Sequence, residues 1–138
     1  MKFDAIVLAG PAEPVSLEVG GFSVGLMTCY DVRFPEFARS LVDAGSDLMV
    51  VPAAWVKGPL KEDHWETLLR ARAIENTAYV IGAGQTGRMY VGSSMVVDPA
   101  GVALAKLGDE EGLAVCDVSL ERLAEIRVRN PSLVNRRL

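Results

Sequence analysis

An α/β fold with a mixed sheet follows from three features of the chain. Two continuous apolar runs, residues 48–51 and 78–83, have the composition of strands buried on both faces. Each follows a segment whose apolar residues recur at helical spacing, which is the pattern of strand–helix–strand units with parallel pairing. From residue 92 onward, short strand-like runs joined by tight turns replace that alternation and add antiparallel pairs.

The elements can be justified in order. Residues 15–19 and 22–28 are strand-forming runs separated by Gly20-Gly21, the signature of a hairpin with a tight glycine turn. Cys29-Tyr30-Asp31-Val32-Arg33 interrupts the pattern. Pro35 suits a first helical position and Glu36 a first turn, while Phe37, Ala38, Leu41 and Val42 form the apolar stripe and Gly45 ends the helix. Asp47 and Pro52 bound the strand at 48–51. After Lys57-Gly58-Pro59, a helix over about 61–76 carries the stripe Trp65, Leu68, Leu69, Ala73 and Ile74. A buried strand at 78–83 follows. Residues 92–98, 102–106 and 112–117 are expected strands, the first two joined by the turn Asp98-Pro99-Ala100-Gly101. Ser119 is placed to cap a last helix with Leu120, Leu123, Ile126 and Val128 on one face. No repeat or low-complexity linker divides the chain, so residues 1–138 are read as one domain.

Composition narrows the function. Half of the 138 residues are hydrophobic and 23% are charged, an ordinary globular balance. A formal net charge of -4 argues against nucleic acid or anionic lipid as partner. The longest apolar run, residues 48–56, contains Pro52 and falls short of the roughly 20 residues a membrane span needs. Asp4 stands where a signal peptide would enter its apolar region, so the expected location is cytoplasmic. Cys29 and Cys116 make no disulfide framework and no metal-binding spacing, and His64 is the sole histidine, so neither a metal nor a cofactor is expected.

Five features are candidates for chemistry. Cys29 stands where a strand stops and a helix is about to begin, a junction at which helix N–H groups favour thiolate. The backbone N–H of Tyr30 would point toward the attacked carbon, as in a strand-to-helix nucleophile elbow. The competing reading is an inert cysteine packed in the core. His64 suggests a cysteine–histidine dyad with Cys29, but its position near a helix start suits a pocket-rim residue equally well. Trp55 follows a strand at the sheet edge where Cys29 should emerge, either lining a pocket or packing a loop. Gly82-Ala83-Gly84-Gln85-Thr86-Gly87 matches G-x-G-x-x-G, but Arg88-Met89-Tyr90-Val91-Gly92 does not open the helix that a dinucleotide site requires. Arg127, Arg129, Arg136 and Arg137 form the one basic cluster, read as a solvated helix end or a subunit contact.

Taken together, five ordered motifs resemble the nitrilase superfamily of carbon–nitrogen hydrolases. They are residues 25–36 around Cys29, Pro52-Ala53-Ala54-Trp55, His64-Trp65 through Arg70-Ala71-Arg72-Ala73-Ile74-Glu75-Asn76, residues 92–101 from Gly92-Ser93-Ser94 to Gly101, and Asn135-Arg136-Arg137. The resemblance implies the C-terminal half of an α-β-β-α sandwich and a Glu–Lys–Cys triad. In that scheme Cys29 is the nucleophile, and the Tyr30 N–H joins the lysine in stabilising the oxyanion. The Asp31-Val32-Arg33 segment resembles the amidase-type branch acting on small linear amides, including ω-amides of dicarboxylic acids, through a cysteine thioester. Arg33 then pairs with a substrate carboxylate or, structurally, with Glu36, and Trp55 and His64 become pocket-rim residues.

The family carries its glutamate and lysine upstream of the cysteine. No counterpart of the glutamate region precedes Cys29, and Glu13, Glu18 and Glu36 lie outside its context. Lys2-Phe3-Asp4 resembles the end of the lysine element without its intervening residues. The chain is therefore expected to be one half of the family domain, with the opposing sheet face left apolar and open. Two functional expectations follow: an amidase whose activity needs the other half, or a truncated, catalytically incompetent module serving a structural role. The expected partners are a small amide substrate and either further copies of the chain or a complementing N-terminal half. Self-association is implied because the helices after Cys29 and Pro59 resemble those that pack family subunits together.

Overall fold

The computed structural model describes residues 10–11 and 13–137, so Lys2 and Asp4 lie outside the described residues. β1 (Ser16–Val19) and β2 (Phe22–Leu26) form the expected hairpin. Its turn places Gly20 and Gly21 at φ +57° and +84°, where only glycine sits without strain. β2, β3 (Leu48–Ala53) and β4 (Tyr79–Gly84) run parallel, with α1 (Pro35–Asp43) and α2 (Lys61–Asn76) as the crossovers. β5 (Met95–Val97) and β6 (Ala103–Lys106) add antiparallel strands, and α3 (Leu120–Arg129) closes the chain. The result is a mixed six-stranded sheet in the order β1-β2-β3-β4-β5-β6, an α/β fold as the pattern predicted.

Both crossover helices lie on one face. Ala38 and Leu41 of α1 and Trp65, Leu69 and Ala73 of α2 bury against Met49, Val51, Val80 and Val97. Each large side chain removed from water there contributes about 1.5–3 kcal/mol. The helix α2 sits so low on β4 that a Cβ at Gly82 would overlap Leu69 Cδ1 and lie 2.9 Å from Trp65 Cζ2. This close approach accounts for the first glycine of the G-x-G-x-x-G stretch. Residues after Gly87 form a turn and run into β5 with no intervening helix, so the stretch is not a dinucleotide fingerprint. Gly82→Ala should therefore cost about 1–3 kcal/mol through overpacking. An unchanged urea midpoint would show that α2 can shift at no cost.

The opposite face is covered only in part. Leu123 of α3 packs there with Val24, Leu48 and Tyr79, and Phe22, Val50, Ile81 and Val118 border the contact. Ser119 caps α3 as expected, its Oγ accepting from the Arg122 N–H at 3.1 Å. Leu120 and Val128, expected on the apolar stripe, are exposed instead, and only Leu123 and Ile126 of that stripe are buried. The basic cluster has internal partners. Arg127 donates to Thr77 O and to Asp47 Oδ1 at 3.1 Å each, and Arg136 pairs with Asp43.

Other expectations need correction. β2 ends at Leu26 rather than 28, because the chain turns at Cys29. β5 is shorter than residues 92–98, since Gly92 and Ser93 both take positive φ and break the extension. β3 continues through Pro52, which the sequence placed at its boundary. Pairing between β2 and β3 stops at Leu26↔Val50, so the N–H that Pro52 lacks falls where β2 has already left the sheet. Residues 112–117 are not a strand. Residues 112–114 border a groove with Ile81, Ala83 and Val96, and the segment has no ladder partner among the described residues.

Candidate active site

Cys29 opens a one-turn 3-10 helix, Cys29–Arg33, directly after β2. Its φ of +50° lies in the left-handed region, which costs a non-glycine residue roughly 1–2 kcal/mol. The surroundings hold it there. Met27 N–H donates to Val50 O at 3.0 Å, tying the entry to β3. Thr28 N–H donates to Asp31 Oδ2 at 2.9 Å, and Asp31 N–H donates back to Thr28 O at 3.0 Å. Val32 is fully buried, and its carbonyl accepts from Arg72 Nε at 2.9 Å. Arg72 is itself 4% exposed and pairs with Glu75 at 2.7 Å, so the turn is pinned to α2 by a buried cation.

This geometry leaves two groups free at the tip. Cys29 is half-buried with its thiol unbridged, and the Tyr30 N–H has no hydrogen-bond acceptor among the described residues. Cys29 and Thr28 open onto a cavity of about 590 Å³ at the C-terminal ends of β2, β3 and β4, whose walls include Pro52, Ala83, Gln85 and Ser94. Ser94 Oγ accepts from Gly84 N–H at 2.9 Å and fixes the end of β4. Cys29 is the one ionisable side chain among the described residues lining this cavity.

The other candidates gather beside the turn rather than in the cavity wall. The Arg33 guanidinium lies over the Tyr30 and Trp55 rings, 5.3 and 5.0 Å from their centroids. Its Nη2 is 3.4 Å from His64 Nδ1, which is then the acceptor nitrogen, and its buried Nε has no partner among the described residues. Glu36 does not pair with Arg33. The guanidinium follows the aromatic surface of Trp55 instead of the helix that carries Glu36. His64 faces Arg33, and no hydrogen bond joins it to Cys29, so the described residues contain no cysteine–histidine dyad. Trp55 is buried, donates from Nε1 to Lys61 O at 2.8 Å, and carries the Lys61 ammonium 4.4 Å from its ring centroid. The sequence carries Arg72, Ser94 and Gln85 inside its motifs but assigns no site role to them or to Lys61. Arg72 occupies a helix position between two stripe residues, the spacing of a core contact, and that was the available signal.

No group of three or more His, Cys, Asp or Glu among the described residues is disposed to hold a metal ion. No helix among them is long and apolar enough to cross a membrane.

Comparison with known proteins gives the site its context. The profile of the carbon–nitrogen hydrolase family matches residues 3–128, and the chain belongs to that family, within the nitrilase superfamily. It is 49% identical over 121 residues to a deaminated glutathione amidase of Escherichia coli, covering 88% of this chain and 46% of that protein. It is 40% identical over 139 residues to the human deaminated glutathione amidase, covering 94% of this chain and 41% of that one. A Xanthomonas campestris carbon–nitrogen hydrolase with an arsenic adduct in its active site superposes with a TM-score of 0.82 at 31% identity, covering 91% of this chain and 51% of that one. A mutant amidase from Nesterenkonia sp., bearing the acetamide moiety of fluoroacetamide on its active site cysteine, superposes with a TM-score of 0.78 at 35% identity. It covers 94% of this chain and 47% of that one. The chain thus spans about half the length of these relatives.

Proposed function

We propose that the chain provides the nucleophile-bearing half of an amidase-type carbon–nitrogen hydrolase acting on small linear amides, including ω-amides. The observation that carries this reading is the strained Cys29 turn, with a free Tyr30 N–H beside the cavity. The Cys29 thiolate attacks the amide carbon and the Tyr30 N–H takes up the developing oxyanion charge. The C–N bond then breaks, and the departing nitrogen takes a proton to leave as ammonia or amine. Water hydrolyses the resulting thioester to the acid and restores the thiol. Arg33, stacked on Tyr30 and Trp55 and 3.4 Å from His64 beside the turn, is the cation that a substrate carboxylate reaching past the cavity wall would meet. A reducing, cytoplasmic setting suits a chain whose two cysteines are both free.

A second reading has its own support. With Cys29 the one ionisable group on the described cavity wall, the described residues offer no general base there. Loss of a general base costs about 10²–10⁴ in rate, and loss of one oxyanion donor about 10²–10³. By itself this stretch is therefore a structural module of very low turnover, and activity needs groups from outside the described residues. Ammonia release from succinamate and glutaramate, and hydrolysis of deaminated glutathione, test both readings. Activity should appear when the chain is co-expressed with the uncovered part of the E. coli relative. Equal turnover by wild-type and Cys29→Ala complexes would remove the amidase reading.

A further inference from the structure

We propose that His64 is a specificity-determining residue of this site. Its neutral ring holds the Arg33 guanidinium in its seat, and its protonation releases that cation, so preference for carboxylate-bearing substrates rises as pH falls. This rests on the reading of Arg33 as the cation a substrate carboxylate meets, and it adds what controls that cation. Arg33 is weakly held. Its guanidinium lies over the Tyr30 and Trp55 rings, 5.3 and 5.0 Å from their centroids. The one hydrogen-bond partner of its side chain among the described residues is His64 Nδ1, 3.4 Å from Nη2, and its buried Nε has none. A guanidinium presents five donors, so a single long contact leaves it poorly satisfied. No Asp or Glu among the described residues forms an ion pair with Arg33, Lys61 or His64.

The ring accepts from Arg33 only while Nδ1 carries no proton. With both ring nitrogens protonated, donor meets donor and charge meets charge across the same 3.4 Å. The surrounding charges reinforce that repulsion. From its own helix the ring is joined by Lys61, one turn earlier, whose ammonium lies 4.4 Å from the centroid of the same Trp55 ring. Glu62 and Asp63 of α2 and Glu36 of α1 are exposed to water. Asp31, in the turn with Arg33, accepts from Thr28 N–H, and Lys57, beyond Trp55, pairs with Asp109. Protonated His64 therefore completes a group of three cations around one aromatic platform, with no paired carboxylate among the described residues. Such a group draws an anion, and Arg33 stands in the same one-turn helix as Cys29.

The test alkylates the 138-residue chain, carrying Cys116→Ser, with iodoacetamide and with iodoacetate at low salt, and follows Cys29 by intact mass. With either reagent the thiolate displaces iodide and a thioether forms. The ratio of the two rates therefore cancels the ionisation of Cys29 itself, and iodoacetate stays ionised throughout. The expected ratio of iodoacetate to iodoacetamide rates rises on the order of threefold from about pH 8 to about pH 5.5. It should track the ring-proton NMR titration of His64, which is the sole histidine of the sequence. His64→Asn keeps a neutral acceptor and should leave the ratio flat. A flat ratio in the chain with His64, or a rise that persists in His64→Asn, overturns the proposal. Arg33→Gln separates that failure from a failure of the reading it rests on. If Arg33→Gln lowers the ratio at both pH values, Arg33 does meet carboxylates and a flat profile removes the role of His64 alone. If Arg33→Gln leaves the ratio unchanged at both, the carboxylate reading falls and the proposal with it.

Discussion

Cys29→Ala is expected to abolish covalent capture of fluoroacetamide by the chain, with no added mass at saturating reagent, while Cys116→Ser leaves capture intact. Both cysteines are free and half-buried, so burial alone does not distinguish them. Geometry does. Cys29 stands at φ +50° on a turn fastened by Met27, Asp31 and Arg72, beside an unpaired N–H and a cavity. Cys116 lies in the extended segment that precedes α3, with no arranged donor nearby. In the complemented enzyme, losing the Cys29 nucleophile should lower turnover by about 10⁴ or more, because a catalytic group acting as part of a unit removes most of the unit's effect. Intact-mass spectrometry reads the first outcome and ammonia release the second. Labelling that migrates to Cys116, or persists in Cys29→Ala, would relocate the reactive thiol.

Much of the scaffold was legible because local and tertiary demands agree. In α2 the apolar spacing, length and following strand all point to one helix, and Trp65, Leu69 and Ala73 are buried as that spacing requires, while Ile74 of the same stripe is exposed. At β3 a run of apolar residues demanded a strand with two covered faces. What the sequence obscured was set by partners distant in the chain. Pro52 marks a strand end in the sequence because its missing N–H is normally intolerable, but it falls where the neighbouring strand has already departed. Residues 112–117 have a strand's side chains without a strand's partner, and pairing is not a property of one segment. Of the two partners the sequence offers Arg33, a substrate carboxylate or Glu36, proximity favours Glu36, yet the turn before α1 carries the guanidinium to Trp55 instead. The position of Cys29 could be read from its junction. Its left-handed backbone could not, because nothing in a cysteine codes for that conformation.

Arg72→Met should lower Tm on the order of 10 °C and slow capture of electrophile at Cys29 in the fraction that remains folded. The side chain is 4% exposed, and its Nε is the hydrogen-bond donor to the carbonyl of Val32 at 2.9 Å. Methionine fills much of the same volume but leaves that carbonyl buried and unpaired, which costs about 1–3 kcal/mol. Glu75, the ionic partner, has a side chain about one-third exposed, so water recovers most of what it loses. The larger part of the penalty therefore falls on the Cys29–Arg33 turn, where a positive φ already opposes the fold. Arg72→Lys retains the charge but has one ammonium in place of a planar fork, and it cannot satisfy Val32 and Glu75 together with the same geometry. Its Tm should fall between wild type and Arg72→Met, with capture partly restored. Thermal melts and alkylation rates at a temperature where both variants are folded separate the two effects. If Arg72→Met melts lower but alkylates at the wild-type rate, the arginine supports α2 alone and the turn holds Cys29 without it.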